Sequence, residues 1–146
     1  MPCLQVSFGS DARDTLCAAF DHAQSSIRAE FFDLSDRDVI NSINAASQRH
    51  LDVELHVEEH PFRYRHTRDA AERDAKATAA LRAALDPNVR LVLENDPHVL
   101  MHCKAAVVDD RVALISTGNP TWTGFDCDGE VLVSSQEPRD IAGVKS

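Results

Sequence analysis

Two apolar runs, Val99 to Val108 and Val112 to Ile115, lie either side of Asp109-Asp110-Arg111, and the pair reads as a β-hairpin. Ahead of it, strand and helix patterns alternate. Leu4 to Phe8 reads as a short strand. Ser10 is then placed to cap a helix running to about Gln24, with Leu16, Ala19, Phe20 and Ala23 on one face. Ser26 to Phe32 alternates as a second strand, and Ser35 is placed to cap a helix carrying Val39, Ile43 and Ala46 at helical spacing. Leu51 to Val57 is a third strand and Val89 to Leu93 a fourth, with a charged, Ala-rich helix over Thr67 to Leu85 between them. Glu58 to Arg68 reads as a long polar and aromatic loop that borders a site. Glu130 to Ser134 is the last strand, and Pro138 opens a final helix. Strands alternating with helices, then a hairpin, predict one domain over residues 1–146, an α/β fold in which a mixed central sheet is sandwiched between helices.

A chain of 146 residues, 43% apolar and 27% charged, is long enough to bury one core. Its apolar stretches fall short of a membrane span, no signal-peptide pattern opens the chain, and a cytoplasmic location is expected. The net charge of −9 weighs against a broad phosphate-binding surface for nucleic acid or an anionic membrane. A local basic site is compatible with that charge. Of the four cysteines, Cys17 and Cys103 read as small hydrophobes, and neither a disulfide framework nor a zinc-type spacing is expected with Cys3 and Cys127.

Chemistry concentrates between His102 and Asn119. Residues two apart on a strand share a face, so His102 and Lys104 are expected to project together, with Met101, Cys103 and Ala105 facing the other way. Asp109 has the opposite parity and is expected to support the turn. A neutral imidazole can attack phosphorus and split one hard displacement into two easier ones through a phosphohistidine. The Lys104 ammonium would meet the non-bridging oxygens, and Asn119 and Thr117 would add neutral donors. This chemistry needs no metal, and no cofactor is expected. A solitary His-x-Lys is commonplace, with the lysine reaching out to water. Two chargeable groups on one face of an apolar run are less so, because that placement is locally unfavourable.

The pattern His102-x-Lys104-x4-Asp109-x6-Ser116-Thr117-x-Asn119 resembles the signature of the phospholipase D superfamily, His-x-Lys-x4-Asp-x6-Gly-Ser-x-Asn. Ser116 stands at the usual glycine and Thr117 at the usual serine. Glu130 matches an acidic residue that the family places after the motif, and the resemblance makes it a candidate to orient His102. It also implies two histidines, a nucleophile and a general acid, each from its own copy of the motif. This sequence has one copy. The second is expected from a homodimer partner across a two-fold axis, or from a second half of a longer chain.

The substrate class implied is a phosphodiester, phospholipid or nucleic acid, with a phosphatidyl-type diester preferred for the acidic charge balance. A nuclease of the same superfamily, helped by Arg63, Arg65 and Arg68, is the alternative, and a non-catalytic binding domain the third reading. Among the remaining histidines, His56 is expected on a solvated strand face and His22 and His50 at helix ends. His60 and His66 belong to the polar loop, and His98 lies just ahead of the active run. Trp122 and Phe125 are expected either to wall the pocket or to pack in the core.

Overall fold

A computed structural model of the chain describes residues 4–62 and 68–145. In chain order these form β1 (Gln5–Phe8), α1 (Gly9–Asp21), β2 (Ser26–Phe31), α2 (Arg37–Gln48), β3 (Asp52–Glu58) and α3 (Ala70–Ala84). They continue with β4 (Arg90–Glu94), β5 (Lys104–Val108), β6 (Val112–Ser116), α4 (Trp122–Asp126), β7 (Val131–Ser135) and α5 (Pro138–Lys145). The strands make one mixed sheet in the order β1-β7-β6-β5-β2-β3-β4. β2, β3 and β4 run parallel, linked by α2 and α3, and the remaining pairs are antiparallel.

The two-residue period of the strands divides the sheet into unlike faces. Ile27, Ala29, Phe31, Val53, Leu55 and Val57 share the face on which α1 and α2 lay Leu16, Phe20, Val39 and Ile43. Phe20, Ile43 and Leu55 are fully buried there, each contributing roughly 1.5–3 kcal/mol of transfer free energy. On the opposite face α5 covers only the centre, seating Ile141 against Val107 and Ala113. Beside it, β3 and β4 carry a charged lattice in which His56 bridges Glu54 and Glu94 at 2.7 Å each. That partly buried bridge replaces the solvated position expected for His56.

Several boundaries differ from the sequence reading, for identifiable reasons. α1 begins at Gly9, with Phe8 at the cap position and Ser10 already inside the helix. The φ of 54° at Gly9 turns the chain directly from β1 into α1, a conformation that favours glycine. Asp36, not Ser35, caps α2, its carboxylate accepting from the Asp38 and Val39 amides. α3 begins at Ala70, and the Thr67 start expected for it lies outside the described residues. The apolar run before the hairpin is strand only from Lys104 onward. Its partner β2 ends at Phe31, so beyond one bond from Phe32 N to Cys103 O no described strand pairs with it. Val99 and Leu100 are accordingly exposed. The short helix α4, capped by Thr121 Oγ1 on Gly124 N, was not expected. Its Phe125 packs in the core, whereas Trp122 is exposed. Cys17 and Cys103 are half-buried and free, Cys127 is free and exposed, and Cys3 lies outside the described residues.

Candidate active site

Lys104 opens β5 on the α1 and α2 face, since it pairs with Phe31 and shares parity with the core residues Ala106 and Val108. Its side chain is buried, 7% exposed, yet it makes no ion pair with any described residue. Nζ donates to the His102 carbonyl at 2.9 Å and lies 3.1 Å from both imidazole nitrogens. A point equidistant from the two nitrogens at that range sits over the ring, because in the ring plane it would run into Cε1. The ammonium therefore covers one imidazole face, and among the described residues no other group is hydrogen-bonded to Nδ1 or Nε2. Phe32 completes the cluster. Its ring centroid is 4.8 Å from that of His102, and Lys104 Nζ lies 5.4 Å from the Phe32 centroid. His102 itself is exposed, two residues ahead of the first residue of the strand. It thus meets Lys104 as expected, though from a loop anchored by Cys103 O and not through strand parity.

Electrostatics favour a neutral imidazole beside a cation. Burial first, then the Lys104 ammonium, lowers the His102 pKa below its ordinary value. Burial also lowers Lys104, which the nearby Cys103 and Glu130 oppose. A buried ammonium with no anion is unfavourable unless something negative is to arrive.

The other expected residues divide into two groups. Asn119 lies just past β6, and its buried Oδ1 has no hydrogen-bond partner among the described residues. An atom left so costs about 1–3 kcal/mol, which suits a group meant for a ligand. Asp109 serves the turn. Its carboxylate accepts from Gln24 N at 2.8 Å, Ser25 N at 2.7 Å and Ser26 N at 2.9 Å, and from the Ser25 hydroxyl at 2.9 Å. Burial works against the Asp109 anion, but these donors outweigh it and hold the pKa below the ordinary carboxylate value.

Thr117 is a correction. Its hydroxyl is bonded to the Glu130 carboxylate and accepts from Val131 N at 3.0 Å, so it braces β6 against β7 and does not reach toward Lys104. Continuing the β5–β6 register sets Ser116, not Thr117, across from Lys104. Glu130 is held by Thr117 and shows no bond to His102, so the orienting role expected for it is absent from this geometry. Its side chain folds across Gly118, where an added Cβ would come within 2.2 Å of Glu130 Cγ.

Three further residues frame the site. Glu58, buried at the end of β3, accepts from Met101 N at 3.2 Å and His60 N at 3.0 Å, and so fastens the segment carrying His102. Arg13 on α1 binds Asp36 at 2.9 Å and also Asp126, joining the N-cap of α2 to the last residue of α4. Pro120 O accepts from Ser35 N and Asp36 N, tying the residue after Asn119 to the β2–α2 connection. None of these was singled out from sequence. The only signal was an acidic residue ending a strand or preceding a helix. His22 bonds Ala18 O at the end of α1, and His50, with a φ of 64°, follows α2. The backbone of exposed His98 donates to Asp96. Arg63, Arg65 and His66 lie outside the described residues, and Arg68 is exposed. Among the described residues no group of three or more His, Cys, Asp or Glu side chains converges as a metal site, and no helix is long and apolar enough to cross a membrane.

A family model described as cardiolipin synthase, PLD-like domain, matches residues 16–145. The chain belongs to the phospholipase D-like family. Members of the superfamily are phosphodiesterases or phosphotransferases. No curated protein matches it. Among solved structures, the phospholipase D family member Nuc from Salmonella typhimurium is similar in fold. It shares 22% identity and a TM-score of 0.81, over 99% of this chain and 90% of that one. NucT from Helicobacter pylori shares 18% identity, with a TM-score of 0.72 over 98% and 92% of the two chains. Phosphatidylserine synthase from Haemophilus influenzae Rd KW20 shares 16% identity, with a TM-score of 0.71 over 99% of this chain and 37% of that one.

Proposed function

We propose that this phospholipase D-like chain is a metal-independent phosphodiesterase or phosphatidyl transferase that works through a phosphohistidine on His102, with a phospholipid-type diester as substrate. The observation that carries this reading is the buried Lys104 ammonium, with no ion-pair partner among the described residues, lying against the His102 imidazole. A non-bridging phosphoryl oxygen is the anion that fits. Lys104 and Asn119 hold the phosphoryl group while an in-plane nitrogen of His102 attacks phosphorus. A P–N bond forms as the P–O bond to the leaving alkoxide breaks, and an acid supplies that alkoxide with its proton. Water or an alcohol then displaces the imidazole, restoring His102.

The acid is the counterpart histidine of a second motif copy, most simply His102 of a partner subunit. Val6, Phe8 and Ile115 support a two-fold pairing. These exposed apolar residues stand on the sheet face that α5 leaves open, Ile115 on the strand leading to Thr117 and Val6 and Phe8 on the strand leading to Gly9, whose amide bonds Glu130 O. The net charge of −9 and the description of the matching family model favour a phospholipid over nucleic acid.

A substrate panel of phosphatidyl diesters, single-stranded DNA, duplex DNA and bis(4-nitrophenyl) phosphate tests the reading. Turnover of the phosphatidyl diesters, abolished in His102→Ala and insensitive to chelator, is expected. Turnover confined to nucleic acid would replace the substrate, and turnover surviving in His102→Ala would end the mechanism.

A further inference from the structure

α3 runs for 15 residues, of which only Asp74 and Leu81 are buried among the described residues. Beneath it, between α2 and the ends of β3 and β4, lies a cavity of about 410 Å³. Its walls are largely aliphatic, drawn from Ile40, Val57, Leu93, Ala77, Ala80 and Leu81. Close-packed interiors rarely leave voids much larger than a water molecule, and an apolar space offers water few partners. The volume falls within the ordinary range for a site that binds a small molecule.

The cavity adjoins the catalytic cluster through two shared residues. Phe32 lines it and also meets the His102 ring, and Glu58 lines it while holding the Met101 amide. Arg37 lines it too, with no ion-pair or hydrogen-bond partner among the described residues. Its guanidinium is free to donate to oxygens that join an aliphatic chain to phosphorus. We infer that this cavity binds the aliphatic chain of the substrate, with Phe32 as the joint between chain and phosphoryl group and Arg37 at the ester oxygens. The inference rests on the proposed phosphodiesterase reading and narrows its substrate to diesters bearing an alkyl or acyl chain.

Calorimetric titration of the protein with butyl, hexyl and octyl phosphate tests it without requiring turnover. Affinity is expected to rise about three- to fourfold per added methylene, the increment for burying a CH2 group. Ala80→Trp, which fills the cavity from an exposed helix position, should flatten the series. Ala77→Leu should cut it off at a shorter chain, and Ala83→Trp, on the same helix but not lining the cavity, should keep the full slope. An absence of binding, an affinity independent of chain length, or an unchanged slope in both cavity-filling variants would overturn the inference. Its failure is distinguishable from failure of the phosphodiesterase reading, which is scored separately by His102-dependent turnover of bis(4-nitrophenyl) phosphate.

Discussion

At the scale of single residues, the site depends on one uncompensated charge. The Lys104 ammonium helps keep His102 neutral, so removing it has two separable effects. Lys104→Met should lower kcat/KM by about 10²–10³-fold, the usual loss when a transition-state donor is deleted. It should also move the acid limb of the pH profile upward. With the neighbouring cation gone the imidazolium is less disfavoured, so His102 titrates at a higher pH than in the native protein. A pH–rate profile of both proteins checks this, and a limb that stays in place would show that burial alone sets the His102 pKa. Asp109 belongs to the same scale but affects stability. Asp109→Asn weakens bonds to three backbone amides and should destabilise the fold by about 2 kcal/mol in a denaturant titration. Because the folded pKa of Asp109 is depressed, its contribution is complete above the ordinary carboxylate range and disappears as pH falls through the folded value. The stability gap between the Asp109→Asn variant and the native protein should therefore narrow in acid.

Elements place these residues through contacts that sequence periodicity does not encode. The alternation of strands and helices, the hairpin and the core faces were legible, because Ile27, Leu55 and Val39 recur at periods of 2 and 3.6 residues. The pairing of His102 with Lys104 was legible for a less secure reason. Two-residue spacing brings them together, but β5 starts at Lys104, and His102 is held by Cys103 O and by the grip of Glu58 on Met101. Thr117 misled because its hydroxyl suits either a substrate or a cross-strand brace, and only the β6–β7 pairing decides between them. Long-range partners of this kind, Glu58 with Met101 or Arg13 with Asp126, leave no local trace. Gly124 shows how tightly α4 is fitted to the motif, since a Cβ there would lie 2.3 Å from Asn119 O. Gly124→Ala should lower stability by about 1–3 kcal/mol and depress activity by displacing Asn119. Thermal melts read the first effect and turnover the second. Loss of stability with full activity would remove Asn119 from the proposed mechanism.

For the whole molecule, the account requires a second motif copy, which turns activity into a question of assembly. Sedimentation should show a dimer, with specific activity falling on dilution through its dissociation constant. Placing charge on the open sheet face, as in Val6→Asp with Ile115→Asp, should yield inactive monomers that keep their secondary structure. A strictly monomeric chain that turns over at full rate would refute the shared site. The central claim, however, is chemical, and it is tested by capturing the intermediate. Enzyme mixed with excess bis(4-nitrophenyl) phosphate would be quenched in alkaline denaturant, where phosphohistidine survives, and the peptides mapped by mass spectrometry. The account predicts a nitrophenyl-phosphoryl adduct on His102, formed with a burst of nitrophenolate and absent from His102→Ala. An active enzyme that carries the adduct elsewhere, or turns over with no burst and no adduct, would contradict it.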